Sequence, residues 1–199
     1  GASEGSFIQN NTISASRGWN SSGISISSTD RTPFEAGTWY INNNVFDQCD
    51  RGISVIHLPD GDVENEVYGL DIYRNIIKNC GNGIVVREDV GAFSVLIGNN
   101  VIHSSDDAIG WGEGHGISIE SDEDTETPEF PHIVNNTIFG NDGDGIHVVV
   151  EEHGNEDPRL RPFIVNNVLW ENTGDGIEFD FQGDAVLDDV YSTNNIIGE

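Results

Sequence analysis

The chain has 199 residues, 36% hydrophobic and 9% aromatic, enough apolar material for one elongated domain with a continuous core and too little for a second. Thirty-five acidic residues face eight basic ones, Lys78 being the only lysine, for a formal charge of -27. Self-repulsion of that size excludes nucleic acid and anionic membrane surfaces as partners, disfavours polyanionic substrates, and suits a medium whose salt or divalent cations screen surface carboxylates.

A short phrase recurs from one end of the chain to the other: an aliphatic residue, a variable one, a polar pair ending in Asn, then two mostly aliphatic positions. It reads I-Q-N-N-T-I from Ile8, I-N-N-N-V-F from Ile41, I-Y-R-N-I-I from Ile72, I-G-N-N-V-I from Ile97, I-V-N-N-T-I from Ile133, I-V-N-N-V-L from Ile164 and S-T-N-N-I-I from Ser192. The second polar residue falls at Asn11, Asn44, Asn75, Asn100, Asn136, Asn167 and Asn195, with spacings of 33, 31, 25, 36, 31 and 28 residues. Periods of this size mark an array of stacked units.

Between these phrases stands a second one, Gly-Ile followed by alternating residues: G-I-S-I-S at Gly23, G-I-S-V-I at Gly52, G-I-V-V-R at Gly83, G-I-S-I-E at Gly116, G-I-H-V-V at Gly145 and G-I-E-F-D at Gly176. Alternation over such short runs predicts strands with one buried face, and no window has helical periodicity. Units of about 30 residues, each too thin to bury its apolar stripe alone, build a solenoid whose coils are about 4.8 Å apart. An Asn at one register on every coil can donate to one neighbour and accept from the other, so a column of buried amides satisfies itself.

This pattern resembles the right-handed parallel β-helix repeats of the pectate-lyase-like superfamily, over nearly the whole chain. The resemblance implies an all-β, right-handed parallel β-helix of about six to seven coils with an inward Asn ladder, forming a single domain over residues 1–199. It does not select an activity, because the scaffold carries lyases, hydrolases, epimerases and adhesive stalks alike. The chain starts Gly1-Ala2-Ser3, contains no Met and stops just after a phrase begins, so the expectation is part of a larger extracellular or cell-surface polypeptide.

The repeat then serves as a ruler for side chains. Cys49 and Cys80 each lie five residues after their Asn and should share one turn position on consecutive coils. A disulfide there would stabilise by roughly 3 to 4 kcal/mol, whereas parallel Cβ vectors favour a packed thiol pair, and both readings stay open. Just ahead of the Gly, one column holds Arg51, Asn82, His115, Asp144 and Asp175. Stacked Asp144 and Asp175 would repel by about 3 to 4 kcal/mol at an effective dielectric of about 20, so solvent or a cation must relieve them. The flanking N-D-G-D-G from Asn141 and N-T-G-D-G from Asn172 are either plain Asp-Gly turns or a Ca²⁺ site using Asp142, Asp144 and Asp175.

Outward positions of the Gly-Ile strands give two columns, Ser25, Ser54, Val85, Ser118, His147 and Glu178, then Ser27, Ile56, Arg87, Glu120, Val149 and Asp180. This face is expected to be open to solvent, with Arg87, Glu120, His147, Glu178 and Asp180 as candidate carbohydrate contacts. The longest repeat carries S-S-D-D-A-I-G-W-G-E before Gly114-His115-Gly116, read as an inserted loop; the competing alignment puts Asp107-Ala108-Ile109 on the strand. The loop adds Trp111, suited to stacking on a sugar ring, and Glu113 to the candidates. Asp106-Asp107 together with Gly114-His115-Gly116-Ile117-Ser118-Ile119 is similar to the D-D and G-H-G-x-S-I motifs of the polygalacturonase family of glycoside hydrolases. That similarity implies catalytic carboxylates at Asp106 and Asp107 with His115 as an auxiliary group. The chain lacks the family's N-T-D and R-I-K motifs.

A lyase or epimerase would need a base with a charge-neutralising cation; Lys78 and Arg87 are the basic candidates. Acidic loops at Pro59, Ser121 and Glu151 all follow the Gly-Ile strand and should project from one side. The expected function is a non-catalytic extracellular rod that displays a surface for carbohydrate or cell-surface glycan, with Ca²⁺ as the possible cofactor. The competing class is a polysaccharide-active enzyme.

Overall fold

The computed structural model describes residues 6–14, 21–27, 38–56, 68–88, 93–106, 113–121, 131–151, 161–182 and 190–198. The described elements are all strands. They follow one another as β1 (Ser6–Gln9), β2 (Thr12–Ser14), β3 (Ser22–Ser27), then β4 (Thr38–Asn42), β5 (Val45–Asp47), β6 (Arg51–Ile56), then β7 (Tyr68–Tyr73), β8 (Ile76–Lys78), β9 (Asn82–Glu88). The series continues with β10 (Phe93–Gly98), β11 (Val101–His103), β12 (Ile117–Ser121), β13 (His132–Val134), β14 (Thr137–Phe139), β15 (Ile146–Glu151), β16 (Phe163–Val165), β17 (Val168–Trp170), β18 (Ile177–Gln182), β19 (Tyr191–Thr193) and β20 (Ile196–Gly198).

Every third strand pairs in parallel, giving two sheets of seven strands and one of six, wound as a parallel β-solenoid. The Asn phrase builds the first two sheets and the Gly-Ile phrase the third. Register places like on like: Ile41, Ile72, Ile97, Ile133 and Ile164 stack in the first sheet, Phe46, Ile77, Ile102, Ile138 and Leu169 in the second, and Ile53, Ile84, Ile117 and Ile146 in the third. All of these are fully buried. Each aliphatic side chain so buried contributes about 1.5 to 3 kcal/mol against unfolding.

The two polar residues of the phrase have separate jobs. The first, at Asn10, Asn43, Arg74, Asn99, Asn135, Asn166 and Asn194, takes the left-handed conformation with φ between 54° and 60° and turns the corner between the first two sheets. Asn tolerates that conformation better than other L-residues do. The second points inward. Asn44 Oδ1 accepts from the backbone N–H of Asn11 at 3.0 Å and from its Nδ2 at 3.1 Å, and the same pair of bonds repeats without a break to Asn195. From Asn44 onward the other Nδ2 hydrogen donates back to a strand carbonyl of the preceding coil, as Asn100 does to Ile72 at 2.9 Å, while that of Asn11 turns to Gln9 on its own coil. No polar atom of an interior ladder amide is left over.

Gly in Gly-Ile is dictated by the distance between neighbouring coils. A Cβ on Gly83 would lie 2.3 Å from the Gly116 carbonyl oxygen and 2.5 Å from Cγ2 of Ile102, and one on Gly52 would meet the Gly83 carbonyl oxygen at 2.6 Å. The third sheet therefore starts at a corner too tight for any side chain. Its register settles the long repeat: Ile117 pairs with Ile84 and Ile146, so Gly116-Ile117 is the strand start, and residues 107–112, which hold the competing alignment, lie outside the described residues.

Cys49 and Cys80 are buried free thiols. Hydrogen bonding to Cys49, followed by burial, pushes the Cys80 thiol far above its ordinary range. Their column continues through Ser105, Asn141 and Asn172, where a second, shorter amide ladder forms: Ser105 N–H donates to Asn141 Oδ1 at 2.9 Å and Asn141 Nδ2 to Asn172 Oδ1 at 2.8 Å.

Replacing Asn100 with Ala orphans the buried N–H and Nδ2 of Asn75 and the carbonyl of Ile72. At roughly 1 to 3 kcal/mol per orphaned group, the expected loss in a denaturant unfolding experiment is about 3 kcal/mol or more. Asn11→Ala, at the exposed end of the ladder, is expected to cost under about 1 kcal/mol. Gly83→Ala is expected to destabilise by about 1 to 3 kcal/mol through forced separation of two coils.

Candidate functional site

The site grows from the column ahead of the third sheet. Asn82 Oδ1 accepts from the backbone N–H groups of Glu113 at 3.1 Å and His115 at 3.0 Å. His115 Nδ1 in turn accepts from Asp144 N–H at 2.9 Å, and Asp144 Oδ1 from Asp175 N–H at 2.6 Å. Each side chain thus caps a backbone donor one coil further along, opposite in sense to the main Asn ladder. Only residues offering a lone pair can serve, which is why Asn, a neutral His and Asp succeed one another.

This bonding revises the expected repulsion between Asp144 and Asp175. Asp144 is buried, Asp175 exposed, and the Asp144 carboxylate accepts from the Asp175 backbone N–H. Among the described residues Asp142 and Asp175 join no set of clustered metal-binding groups with Asp144. Asp142 instead lines, with Asp106, Gln48, Asn79, Ser104, Ser105 and Gly140, an open depression of about 440 Å³ at the turn after the second sheet.

Around His115 the groups converge. Its Nε2 lies 3.1 Å from Glu113 Oε2, and its ring packs on the His147 ring with centroids 4.4 Å apart and planes tilted by 36°. His147 stands at the first outward position of β15, its Nε2 3.9 Å from Oε2 of Glu178 on β18. His147 Nδ1 is buried and has no hydrogen-bond partner. Glu113, His115 and His147 bring one donor atom each to within 4.8 Å of one another, and so do Asp144, His147 and Glu178. Burial, reinforced by nearby His147, holds the His115 imidazole below its ordinary value of 6.5. A hydrogen bond shared with Asp144, together with the charge of that group, raises the Glu178 carboxyl above 4.5.

The carbohydrate candidates therefore divide. Glu113, His147 and Glu178 belong to the cluster, whereas Arg87, Glu120 and Asp180 occupy the second outward column, where Arg87 pairs with Glu120. The first outward column is open only at its ends: Ser25 is exposed and His147 and Glu178 are half-buried, but Ser54, Val85 and Ser118 between them are buried to 1% exposure or less. Among the catalytic candidates, Asp106 lines the turn depression while His115 is engaged with Glu113, Asp144 and His147; Asp107, like Trp111, lies outside the described residues. Lys78 is on the second sheet, paired with Asp47 at 3.4 Å, and Arg87 on the third, so the two cations do not share a face.

Column counting does not bring His115 to His147, because the two are diagonal neighbours, in different columns and on successive coils. The signal available was His in both phrases G-H-G-I and G-I-H, one coil apart. Comparison with protein-family models, with curated proteins and with solved structures gave no match.

Because the folded chain resists protonating His115 while the unfolded chain takes the proton near 6.5, acidification below pH 6.5 favours unfolding through this group. The expected outcome is an unfolding midpoint that falls between about pH 6.5 and 5, and falls less in His115→Gln, whose amide oxygen can still accept from Asp144 N–H. The raised Glu178 carboxyl acts in the opposite sense, its contribution being lost as pH rises, so the comparison is best made in Glu178→Gln as background.

Proposed function

We propose that this chain is a rigid rod outside the cell, a right-handed parallel β-helix of the pectate-lyase-like kind, that holds a surface out for attachment to carbohydrate. The observation that supports this reading best is the unbroken ladder from Asn11 to Asn195, which ties every coil to the next through buried amides and leaves no hinge along the described stack. A surface on such a support keeps its shape without a bound partner, the condition for attachment with little ordering cost.

The arrangement of acids and bases speaks against turnover. Asp144 and Glu178, whose shared hydrogen bond raises the Glu178 carboxyl, stand too close to act as the two carboxyl groups of a glycosidase, which are about 5 Å or more apart, while Asp107 lies outside the described residues. Lys78 and Arg87, the cations a lyase would use, are each neutralised by a carboxylate of a neighbouring coil. The acidic exterior fits a saline medium, with Ca²⁺ bridging carboxylates of the surface.

The test is a glycan array read with and without chelator, run beside reducing-sugar release on neutral and acidic polysaccharides. Retention of at least one glycan class with no released reducing ends is the expected result. Steady product formation that disappears in Asp106→Asn, with folding unchanged, would overturn the rod in favour of a hydrolase.

A further inference from the structure

The cluster at the head of β12, β15 and β18 gathers two imidazoles and three carboxylates at one point of the fold. We propose that Glu113, His115 and His147 bind one divalent transition-metal ion of the Zn²⁺ class, with Asp144 orienting His115 from behind.

Donor chemistry selects the ion. Two imidazole nitrogens and one carboxylate oxygen suit Zn²⁺ and its neighbours, whereas Ca²⁺ takes six to eight oxygens and has little use for nitrogen. Spacing agrees. Two ligands on one tetrahedral Zn²⁺, with bonds of about 2.0 to 2.1 Å, stand about 3.3 Å apart; His115 Nε2 and Glu113 Oε2 are separated by 3.1 Å.

Asp144 supplies what a ligating imidazole needs on its far side. It presents His115 Nδ1 with a donor, its backbone N–H at 2.9 Å, and an acceptor, Oδ2 at 3.2 Å. In the metal-free chain the first bond places the ring proton on Nε2, facing Glu113. With a cation on Nε2 the proton resides on Nδ1 and the carboxylate becomes its partner, the carboxylate–histidine–metal arrangement. One proton changes nitrogen, and the Asp144 N–H that had donated to Nδ1 gives up that bond, so binding costs one backbone hydrogen bond and a small tilt of the ring towards Oδ2.

His147 contributes the third donor. Its side chain is only 12% exposed, its Nδ1 has no hydrogen-bond partner, and its ring lies on that of His115. Glu113, with a side chain 69% exposed, forms the wet side of the site, through which an ion and its water can pass, while His115 at 9% forms the dry wall. The alternative set of Asp144, His147 and Glu178 has a single imidazole, and its Asp144 already accepts from Asp175 N–H.

The experiment titrates the whole chain with Zn²⁺ by calorimetry in high salt and a large excess of Ca²⁺, which occupies the surface carboxylates. Co²⁺ is used in parallel for its visible ligand-field bands. One saturable Zn²⁺ per chain and a tetrahedral Co²⁺ spectrum are expected, both lost in His147→Gln and in Glu113→Gln. Glu113 is exposed and its variant should fold like the parent, as checked by circular dichroism. Asp144→Asn, which keeps the Oδ1 acceptor, is expected to weaken Zn²⁺ by about ten- to a hundredfold. The assignment is overturned if no saturable site survives the Ca²⁺ excess, or if Glu178→Gln abolishes binding while Glu113→Gln leaves it intact. Neither outcome bears on glycan attachment, which is read without added Zn²⁺.

Discussion

Everything in this fold depends on how a buried amide is satisfied by its copies. A lone Asn in an apolar core would leave donors and an acceptor without partners, at a cost of several kcal/mol. Stacked at coil spacing, each interior amide receives two bonds from one neighbour and donates one to the other, and its remaining hydrogen returns to a strand carbonyl. The constraint is mutual. A coil that slips by one residue breaks its own bonds and those of both neighbours, so register along the described stack is fixed by polar groups as firmly as by the aliphatic columns beside them.

The start of the third sheet repeats this logic with the opposite sense. Asn82, His115 and Asp144 accept from the following coil, whereas in the main ladder Asn44 accepts from the preceding one. What the corner demands is a lone pair, not a particular residue, and that freedom lets ionisable groups enter a column that elsewhere holds Asn. A chain of net charge -27 thereby buries an aspartate, and beside it two imidazoles.

The sequence shows the columns plainly, because a solenoid turns sequence spacing into vertical distance. The Asn ladder, the stacked isoleucines and the pre-Gly column all follow from counting, whereas the choice of Gly116-Ile117 over Asp107-Ala108-Ile109 as the strand needed the register. What counting does not give is the direction in which a side chain leans. His115 and His147 are neither in one column nor on one coil, and they meet because His115 reaches forward to cap Asp144. Nor does alternation report burial: Ser54, Val85 and Ser118 sit where an exposed face was expected and are covered nonetheless. The pair of asparagines in each phrase likewise looks like one signal. It is two, a corner residue at positive φ and an inward amide.

Successive ladder amides are separated by as few as 25 residues and as many as 36, yet the bonds between them keep their lengths within about a tenth of an ångström. Perimeter is set by short strands and tight corners, and the excess of a longer repeat falls in the excursions between strands, ahead of the third sheet in the repeat from Asn100 as well as after it. Insertion, deletion and exchange of such excursions are therefore nearly invisible to the interior. An architecture of this type can diversify its exterior under selection while its inside stands still, and a protein engineer could graft foreign segments at the same places.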